Sequence, residues 1–403
     1  MRSILLPIFL LISFILKSQE NRYNIVAFFD TENKKINIDQ ELIFFNNSNI
    51  ELEYLILNDW ANSYSNSKTP LGKRLSEEYS LKFQRSTKKQ RGYTEINKIH
   101  TVEKLDYSRL KNKIDLIKVN LTEPLKPGDS ISINVNYQIR LPNDNFTGYG
   151  INKFSDVNIR DWYLTFSMLR DNKWIMESNL DLNDLSHDFS FFKVDLTYPL
   201  SHTLITDIDG VTKRSLLNKN FKSKYEKTKN INIRLVKKSN FISYKVNNQL
   251  VITDLFKQKS KNDSLVNKIF KYANDKTGNN IILEKDPSSL NKDSVILKTL
   301  KYVNKKLGIF PYKKIIISTK NISRRPIYGL NNFPEAISPF NQSFLYEFNF
   351  LKELLHIYFV KSISLHNRKE YWQIEGLVIY LLMDYVNLYY PDLKLTGKYS
   401  KLK

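Results

Sequence analysis

The first half of this sequence alternates apolar and polar residues in short segments, and this period of two most limits the possible folds. Successive side chains of a β-strand point to opposite faces, so the alternation predicts half-buried strands separated by turns. We therefore predict an antiparallel β-sandwich or saddle over residues 20–253. The predicted strands are Asn24–Phe29, Lys35–Phe45, Ile50–Leu57, Ile114–Leu121, Ser130–Ile139, Trp162–Phe166, Phe191–Thr197, Thr203–Asp207, Ile231–Val236 and Phe241–Val246.

One segment of this half, Leu57 to Arg74, breaks the alternation. It contains Trp60 and Tyr64 and leads into a helix-like stretch, so we expect a loop and short helix that expose aromatic and charged groups. A long hairpin connection without a function explains the segment equally well. Three scattered histidines are expected to be hydrogen-bonded or at the surface rather than to bind metal: His100, His187 and His202.

The period of the pattern changes near Asp254, which predicts a second domain over residues 254–403. Apolar residues recur at helical spacing from Asp293 to Leu307, and Gly308 is expected to end that helix. The apolar run Lys313–Thr319 then predicts a buried strand. The second domain is therefore expected to be of the α/β type.

The stretch from Phe350 to Tyr380 carries the chemistry-bearing motif. In a zinc peptidase, H-E-x-x-H on a helix places two imidazoles on one face and a glutamate that acts as general base. The sequence KELLH retains the glutamate, Glu353, and the second histidine, His356, but has Lys352 in place of the first histidine. Glu375, within WQIEG, follows on a predicted second helix as a candidate third ligand.

These motifs and their spacing resemble the gluzincin aminopeptidases, peptidase family M1, to which aminopeptidase N and leukotriene A hydrolase belong. The resemblance implies a truncated thermolysin-like (gluzincin) catalytic-type domain behind the amino-terminal β domain. It assigns the metal-binding role to His356 and Glu375, with Lys352 at the missing ligand position. It assigns the role of catalytic base to Glu353.

The family also has an edge strand ahead of the metal helix, with a G-x-M-E-N-like motif that pairs with the substrate backbone. In the corresponding segment of this sequence, the resemblance implies that Gly329, Asn331 and Asn332 bind substrate. A tyrosine farther downstream stabilises the oxyanion in the family, so the domain is expected to be incomplete at its carboxyl end. The following tyrosines are expected to be packing residues: Tyr380, Tyr385, Tyr389 and Tyr390.

Catalytic zinc requires three protein ligands and one open position for water, and a protonated lysine has no lone pair to offer. Two interpretations follow. The chain is a non-catalytic homologue that binds a peptide or a protein partner, or it is an active zinc aminopeptidase with an altered ligand set. Zinc is the expected cofactor only in the second case. A third interpretation, an exported β domain with a helical appendage, requires the motif to be coincidental.

Residues 1–19 resemble a secretory signal peptide, with Arg2 before an apolar core from Ile4 to Leu16. This segment predicts export, and because the sequence has no cysteine, the expected destination is a bacterial periplasm, cell envelope or extracellular space. The net charge of +21 comes from lysines spread evenly along the chain. This distribution argues against nucleic-acid binding and allows association with an acidic envelope or membrane surface.

Overall fold

The structure is a computed structural model, and it describes residues 19–78, 80–180, 185–246, 248–255, 291–318, 340 and 342–393. The chain divides into two compact units. Unit 1 comprises Met1–Lys238 and Ser364–Arg368, and unit 2 comprises Ser239–Ile363 and Lys369–Lys403. The division lies ahead of the sequence-predicted boundary at 253/254, because strands that follow Lys238 pair with a strand of unit 2.

Unit 1 is rich in β-structure, and its core consists of the inward residues of alternating strands. Its strands are β1 (Arg22–Asp30), β2 (Lys35–Phe45), β3 (Leu52–Asn58), β4 (Tyr93–His100), β5 (Tyr107–Leu110), β6 (Lys113–Leu125), β7 (Ser130–Arg140), β8 (Gly150–Ile151), β9 (Val157–Arg160), β10 (Thr165–Phe166), β11 (Leu169–Arg170), β12 (Lys173–Trp174), β13 (Ser190–Pro199), β14 (Thr203–Thr206), β15 (Gly210–Arg214), β16 (Asn218–Ser223), β17 (Glu226–Thr228) and β18 (Asn232–Val236).

The largest sheet has eight strands in the order β15-β16-β13-β1-β2-β7-β4, with β17 also paired to β13. Its strands are antiparallel except for the parallel pair β1 and β13. Two four-stranded sheets have the orders β10-β3-β6-β5 and β14-β18-β9-β8, and β11 pairs with β12. The β-rich character predicted from the alternation is confirmed, whereas the parallel pair departs from the predicted antiparallel arrangement.

A buried amide connects β2 with the segment that leads into β10. The Gln40 side chain donates to the carbonyl oxygen of Leu164 at 2.7 Å, and its Oε1 accepts a hydrogen bond from the Tyr137 hydroxyl at 2.5 Å. Both polar atoms of the amide are therefore paired, which removes most of the cost of burying it.

The segment after β3 is buried, so the predicted exposure of its aromatic residues is wrong. A 3₁₀ helix, Trp60–Tyr64, has both aromatic side chains in the interior. The Tyr64 hydroxyl hydrogen-bonds to Thr147 at 2.7 Å, and Asp59 pairs with Arg109 at 2.7 Å. The helix α1, Pro70–Glu77, follows, capped by the side chain of Thr69. Alternation alone did not indicate that this interruption packs against the sheet.

Two of the scattered histidines are hydrogen-bonded, as predicted. His187 Nε2 lies 2.9 Å from Asp161 Oδ1, and His202 Nε2 lies 2.9 Å from the carbonyl oxygen of Ser155. Both side chains are buried. They therefore have structural partners within unit 1.

His202 gives unit 1 a predicted sensitivity to acid. Burial lowers the pKa of its imidazole below the ordinary value of 6.5, against the opposing effect of the Ser155 hydrogen bond. In the unfolded chain this imidazole is protonated near pH 6.5, whereas in folded unit 1 it is protonated only at a lower pH. The free energy of unfolding therefore falls as the pH decreases from about 6.5 to the pKa of His202 in the folded unit. His202→Gln removes this contribution. We expect its stability–pH slope in that window to be shallower by up to about 1.4 kcal/mol per pH unit.

The measurement is urea unfolding of both proteins at several pH values between neutral and mildly acidic. Tryptophan fluorescence reports mainly on unit 1, because Trp60, Trp162 and Trp174 lie in it, whereas the fourth tryptophan, Trp372, lies in unit 2 and is 71% exposed. Parallel stability–pH curves for the two proteins would contradict the assignment to His202.

In its described residues, unit 2 combines a small sheet with three long helices. The strands β19 (Ile242–Val246), β20 (Gln249–Thr253) and β21 (Lys314–Ile317) form a sheet in that order, with β20 and β21 parallel. The helices are α2 (Lys292–Leu307), α3 (Gln342–Ser362) and α4 (Asn367–Tyr389). The predicted helix before Gly308 is confirmed. Gly308 has φ 88°, a left-handed value that favours glycine.

Within the described residues, no helix is long and apolar enough to cross a membrane. The predicted signal peptide core lies outside the described residues.

Candidate metal centre

Helix α3 brings three of the motif residues into the interior of unit 2. Phe350, Leu351, Leu354 and Leu355 are fully buried, which holds this part of the helix in the core. On the same helix, the residues Lys352, Glu353 and His356 are 8%, 2% and 1% exposed. Lys352 and His356 are four residues apart and share a helix face.

Helix α4 brings Glu375 to this position. His356 Nε2 lies 3.6 Å from Glu375 Oε1, while the Glu375 side chain keeps 37% of its exposure. The structure therefore places the two predicted metal ligands, one from each helix, 3.6 Å apart. Tyr371, also on α4, places its ring nearly parallel to the imidazole of His356, with the centroids 6.5 Å apart.

These residues supply two donor atoms for a metal. Zinc–ligand bonds are about 2.0–2.2 Å long, so two atoms 3.6 Å apart are able to contact one ion. Among the residues that the structure describes, no group of three or more His, Cys, Asp or Glu side chains is placed to hold a metal. The four-residue spacing puts Lys352 where the first imidazole of the motif would be. Within the part of the chain that the structure describes, this donor set supplies two of the three ligands that a catalytic zinc site requires.

A charged and aromatic cluster, absent from the sequence-based site, fixes α2, α3 and α4 together. Glu347 Oε1, on α3, accepts hydrogen bonds from Lys298 Nζ of α2 at 2.7 Å and from the Tyr390 hydroxyl at 2.9 Å. The Tyr385 hydroxyl of α4 donates to the same oxygen. Burial raises the pKa of Tyr385, and the hydrogen bond to Glu347 adds to this, so its hydroxyl remains a donor. We call these four residues the Glu347 cluster.

A second contact joins α2 to α4. The Tyr302 hydroxyl donates to the carbonyl oxygen of Leu381 at 2.7 Å and to Asp384 at 2.8 Å, and Lys306 pairs with Asp384 at 2.9 Å. These contacts and the Glu347 cluster position the helices that carry His356 and Glu375. The sequence did not reveal these contacts, because they arise only when the three helices pack against each other.

The downstream tyrosines do not share one environment. Tyr385 is fully buried and packs as predicted, and Tyr389, although 39% exposed, packs against Tyr385 with ring centroids 4.6 Å apart. Tyr380 is 66% exposed, so the packing prediction is wrong for this residue. The predicted substrate-binding residues Gly329, Asn331 and Asn332 lie outside the described residues.

Comparisons with known proteins identify a fold and nothing finer. No protein-family model and no curated protein matches the chain. Among solved structures, an M1 zinc metallopeptidase from Deinococcus radiodurans is similar, with a TM-score of 0.51 and 11% identity. The match covers 92% of this chain and 71% of that one.

Two related structures give the same result. A mutant two-domain M1 zinc metallopeptidase bound to L-tryptophan matches with a TM-score of 0.51 and 10% identity, over 92% of this chain and 72% of that one. A mutant M1 zinc metallopeptidase from Deinococcus radiodurans bound to the substrate Tyr-Ser-Ala matches with a TM-score of 0.50 and 12% identity, over 92% and 71%. The chain therefore has a fold like that of M1 zinc metallopeptidases.

Proposed function

We propose that this chain is an M1-like metallopeptidase homologue with little or no peptidase activity that binds a peptide or a protein partner. One observation carries the proposal. Lys352 is buried on the same face of α3 as His356, at the position of the first zinc ligand, while His356 and Glu375 lie 3.6 Å apart. The scaffold of the site is present and its ligand set is incomplete.

The lysine also changes the electrostatics of the site. We infer that the ammonium group of Lys352 directs a positive charge toward the Glu353 and Glu375 carboxylates, as a metal ion would. The charge of the lysine offsets theirs without the open coordination position that activates water. Glu353 then has no metal-bound water from which to take a proton, which supports a binding role rather than hydrolysis.

The proposed binding segment contains Gly329, Asn331 and Asn332, as the family resemblance implies. Main-chain hydrogen bonds carry most of the affinity when a peptide adds to a sheet edge, so the binding does not require the family's side chains. Either asparagine could hydrogen-bond a peptide amino terminus through its amide, although without the charge pairing of a carboxylate. We further propose that the chain acts after export, in the bacterial periplasm, cell envelope or extracellular space.

The test is incubation of the full-length protein with a mixture of short peptides that have free amino termini, followed by mass spectrometry. We expect peptides to be retained by the immobilised protein and recovered intact. Turnover should be at least about 10⁴-fold below the roughly 10 s⁻¹ typical of enzymes. Glu353→Gln is the matched variant and should retain peptides equally well. Cleavage that a chelator or Glu353→Gln abolishes would contradict the proposal.

A further inference from the structure

The hairpin of β15 and β16 has two leucines at its tip. Leu216 is 95% exposed and Leu217 is 80% exposed. The turn itself is well formed, because the Ser215 amide and hydroxyl both donate to the carbonyl oxygen of Asn218 at 2.8 Å. The leucines are therefore held outward by an ordered turn. We call residues 210–223 the leucine hairpin.

The side chains of these two leucines do not stabilise the fold of unit 1. A side chain that is almost fully exposed buries no apolar surface, and short hairpin turns favour Asn, Asp and Gly over large apolar residues. An apolar pair at a turn is typical of a surface that becomes buried against something else.

The leucine hairpin is also basic, with no acidic residue from Gly210 to Ser223. Lys213 and Arg214 lie on β15, whose residues are all exposed. Lys219 Nζ donates to the neutral carbonyl oxygen of His202 at 2.6 Å, so this bond leaves its charge uncompensated. Lys222 pairs with Asp195 at 2.7 Å and adds no net charge. The two leucines are thus flanked by three positive charges.

A second apolar loop lies at the same end of unit 1. Phe154 is 62% exposed, and Lys153 Nζ lies 5.0 Å from the centre of its ring. The neighbouring residue Ser155 contacts His202, which in turn accepts the hydrogen bond from Lys219 of the hairpin.

Acidic charge in this loop comes from Asp156. Its carboxylate accepts hydrogen bonds from the Lys237 amide at 2.8 Å and from the Asn152 side chain at 3.0 Å. The positive charges of Lys237 and Lys219 both lower the pKa of His202. These charges therefore also lie close to this end of unit 1. Positive charge therefore predominates around the apolar tips.

We propose that this end of unit 1 binds the surface of an anionic lipid bilayer, with Leu216, Leu217 and Phe154 entering the headgroup boundary. Exposed apolar side chains flanked by lysine and arginine have the chemistry of peripheral membrane binding. Lysine is depleted at protein–protein interfaces, whereas it suits a layer of anionic headgroups. A few apolar anchors and several charges give reversible, salt-sensitive binding. This inference does not depend on the proposed loss of peptidase activity.

The absence of cysteine from the sequence allows a site-specific test. Leu216→Cys is labelled with an environment-sensitive dye, and Val102→Cys, at a 100% exposed valine of another loop, is the matched control. Vesicles of phosphatidylglycerol and phosphatidylcholine are added to each full-length protein. We expect the emission of the dye at position 216 to shift to the blue, with no shift at position 102. Vesicles of phosphatidylcholine alone should produce a much smaller shift.

Co-sedimentation with the same vesicles gives the affinity. Replacing both leucines, L216S/L217S, should lower the partition coefficient roughly 10- to 100-fold. K213Q/R214Q should lower it about 10-fold or more. V102S should leave it unchanged. These exposed substitutions have little effect on stability, so a loss of binding is attributable to the surface.

Three outcomes would overturn the proposal. The protein does not bind anionic vesicles, or it binds while the dye at position 216 remains unshifted, which would indicate adsorption through the overall net charge of +21. In the third outcome, the dye shifts with protein concentration in the absence of vesicles. That result would assign the leucine hairpin to contact between copies of the chain.

Discussion

Lys352→His is expected to convert a protein that does not retain zinc into one that does. The substitution places an imidazole four residues before His356, on the same face of α3, and completes a set with Glu375. Structural zinc sites with four ligands bind zinc with a free energy of about 10–16 kcal/mol. If this free energy is divided evenly among the ligands, one ligand contributes roughly 3–4 kcal/mol. Zinc affinity should therefore rise by about two to three orders of magnitude, measured by competition with a chromogenic chelator.

A matched control separates the position from the added imidazole. Lys361→His introduces the same group at another buried lysine of α3, away from His356, and should leave zinc affinity unchanged. Adding His356→Ala to Lys352→His should abolish the gain. If Lys361→His gains as much zinc as Lys352→His, or if Lys352→His gains none, the assignment of Lys352 to the first ligand position is wrong.

Glu347→Ala is expected to destabilise unit 2 by about 1–3 kcal/mol, the range for leaving a buried polar group without its hydrogen-bond partner. The substitution leaves Lys298 without its carboxylate and the fully buried Tyr385 hydroxyl without its acceptor. Hydrogen-exchange mass spectrometry of peptides from α2, α3 and α4 measures the loss of protection in these helices directly. This method avoids treating the two units as one unfolding transition.

Two further variants show what the cluster contributes. Glu77→Ala removes an exposed partner of Arg74, 3.9 Å away, and should change stability by less than about 0.5 kcal/mol. The double variant K298M/E347L removes both charges at once and should be less destabilising than Glu347→Ala, because no unpaired charge remains. Unchanged protection of the three helices in Glu347→Ala would refute the role assigned to the Glu347 cluster.

Much of the β-structure could be predicted from alternation because the strands of unit 1 bury one face. The predicted strand Lys35–Phe45 matches the structure residue for residue. Strands with weak alternation were missed, such as Gly210–Arg214, whose residues are all exposed and carry no burial signal. The parallel pairing of β1 with β13 joins segments far apart in sequence, and local patterns contain no information about such partners.

The candidate site was predictable only in part. The i and i+4 spacing placed Lys352 and His356 on one helix face, and the WQIEG motif indicated that Glu375 would approach from a second helix. The Glu347 cluster was not predictable, because its members are ordinary Glu, Lys and Tyr residues whose roles arise only when three helices pack. The buried 3₁₀ helix at Trp60–Tyr64 was missed for the same reason, since its partners Thr147 and Arg109 are remote in sequence.

The most direct test of the central claim is the zinc content of the unaltered full-length protein. The protein is incubated with an equivalent of zinc, desalted, and analysed by inductively coupled plasma mass spectrometry, with Lys352→His treated in parallel. With Lys352 in place of the first ligand, we predict less than about one tenth of an equivalent in the unaltered chain and close to one in the variant. One equivalent of zinc in the unaltered protein, lost on substitution of His356 or Glu375, would contradict the account.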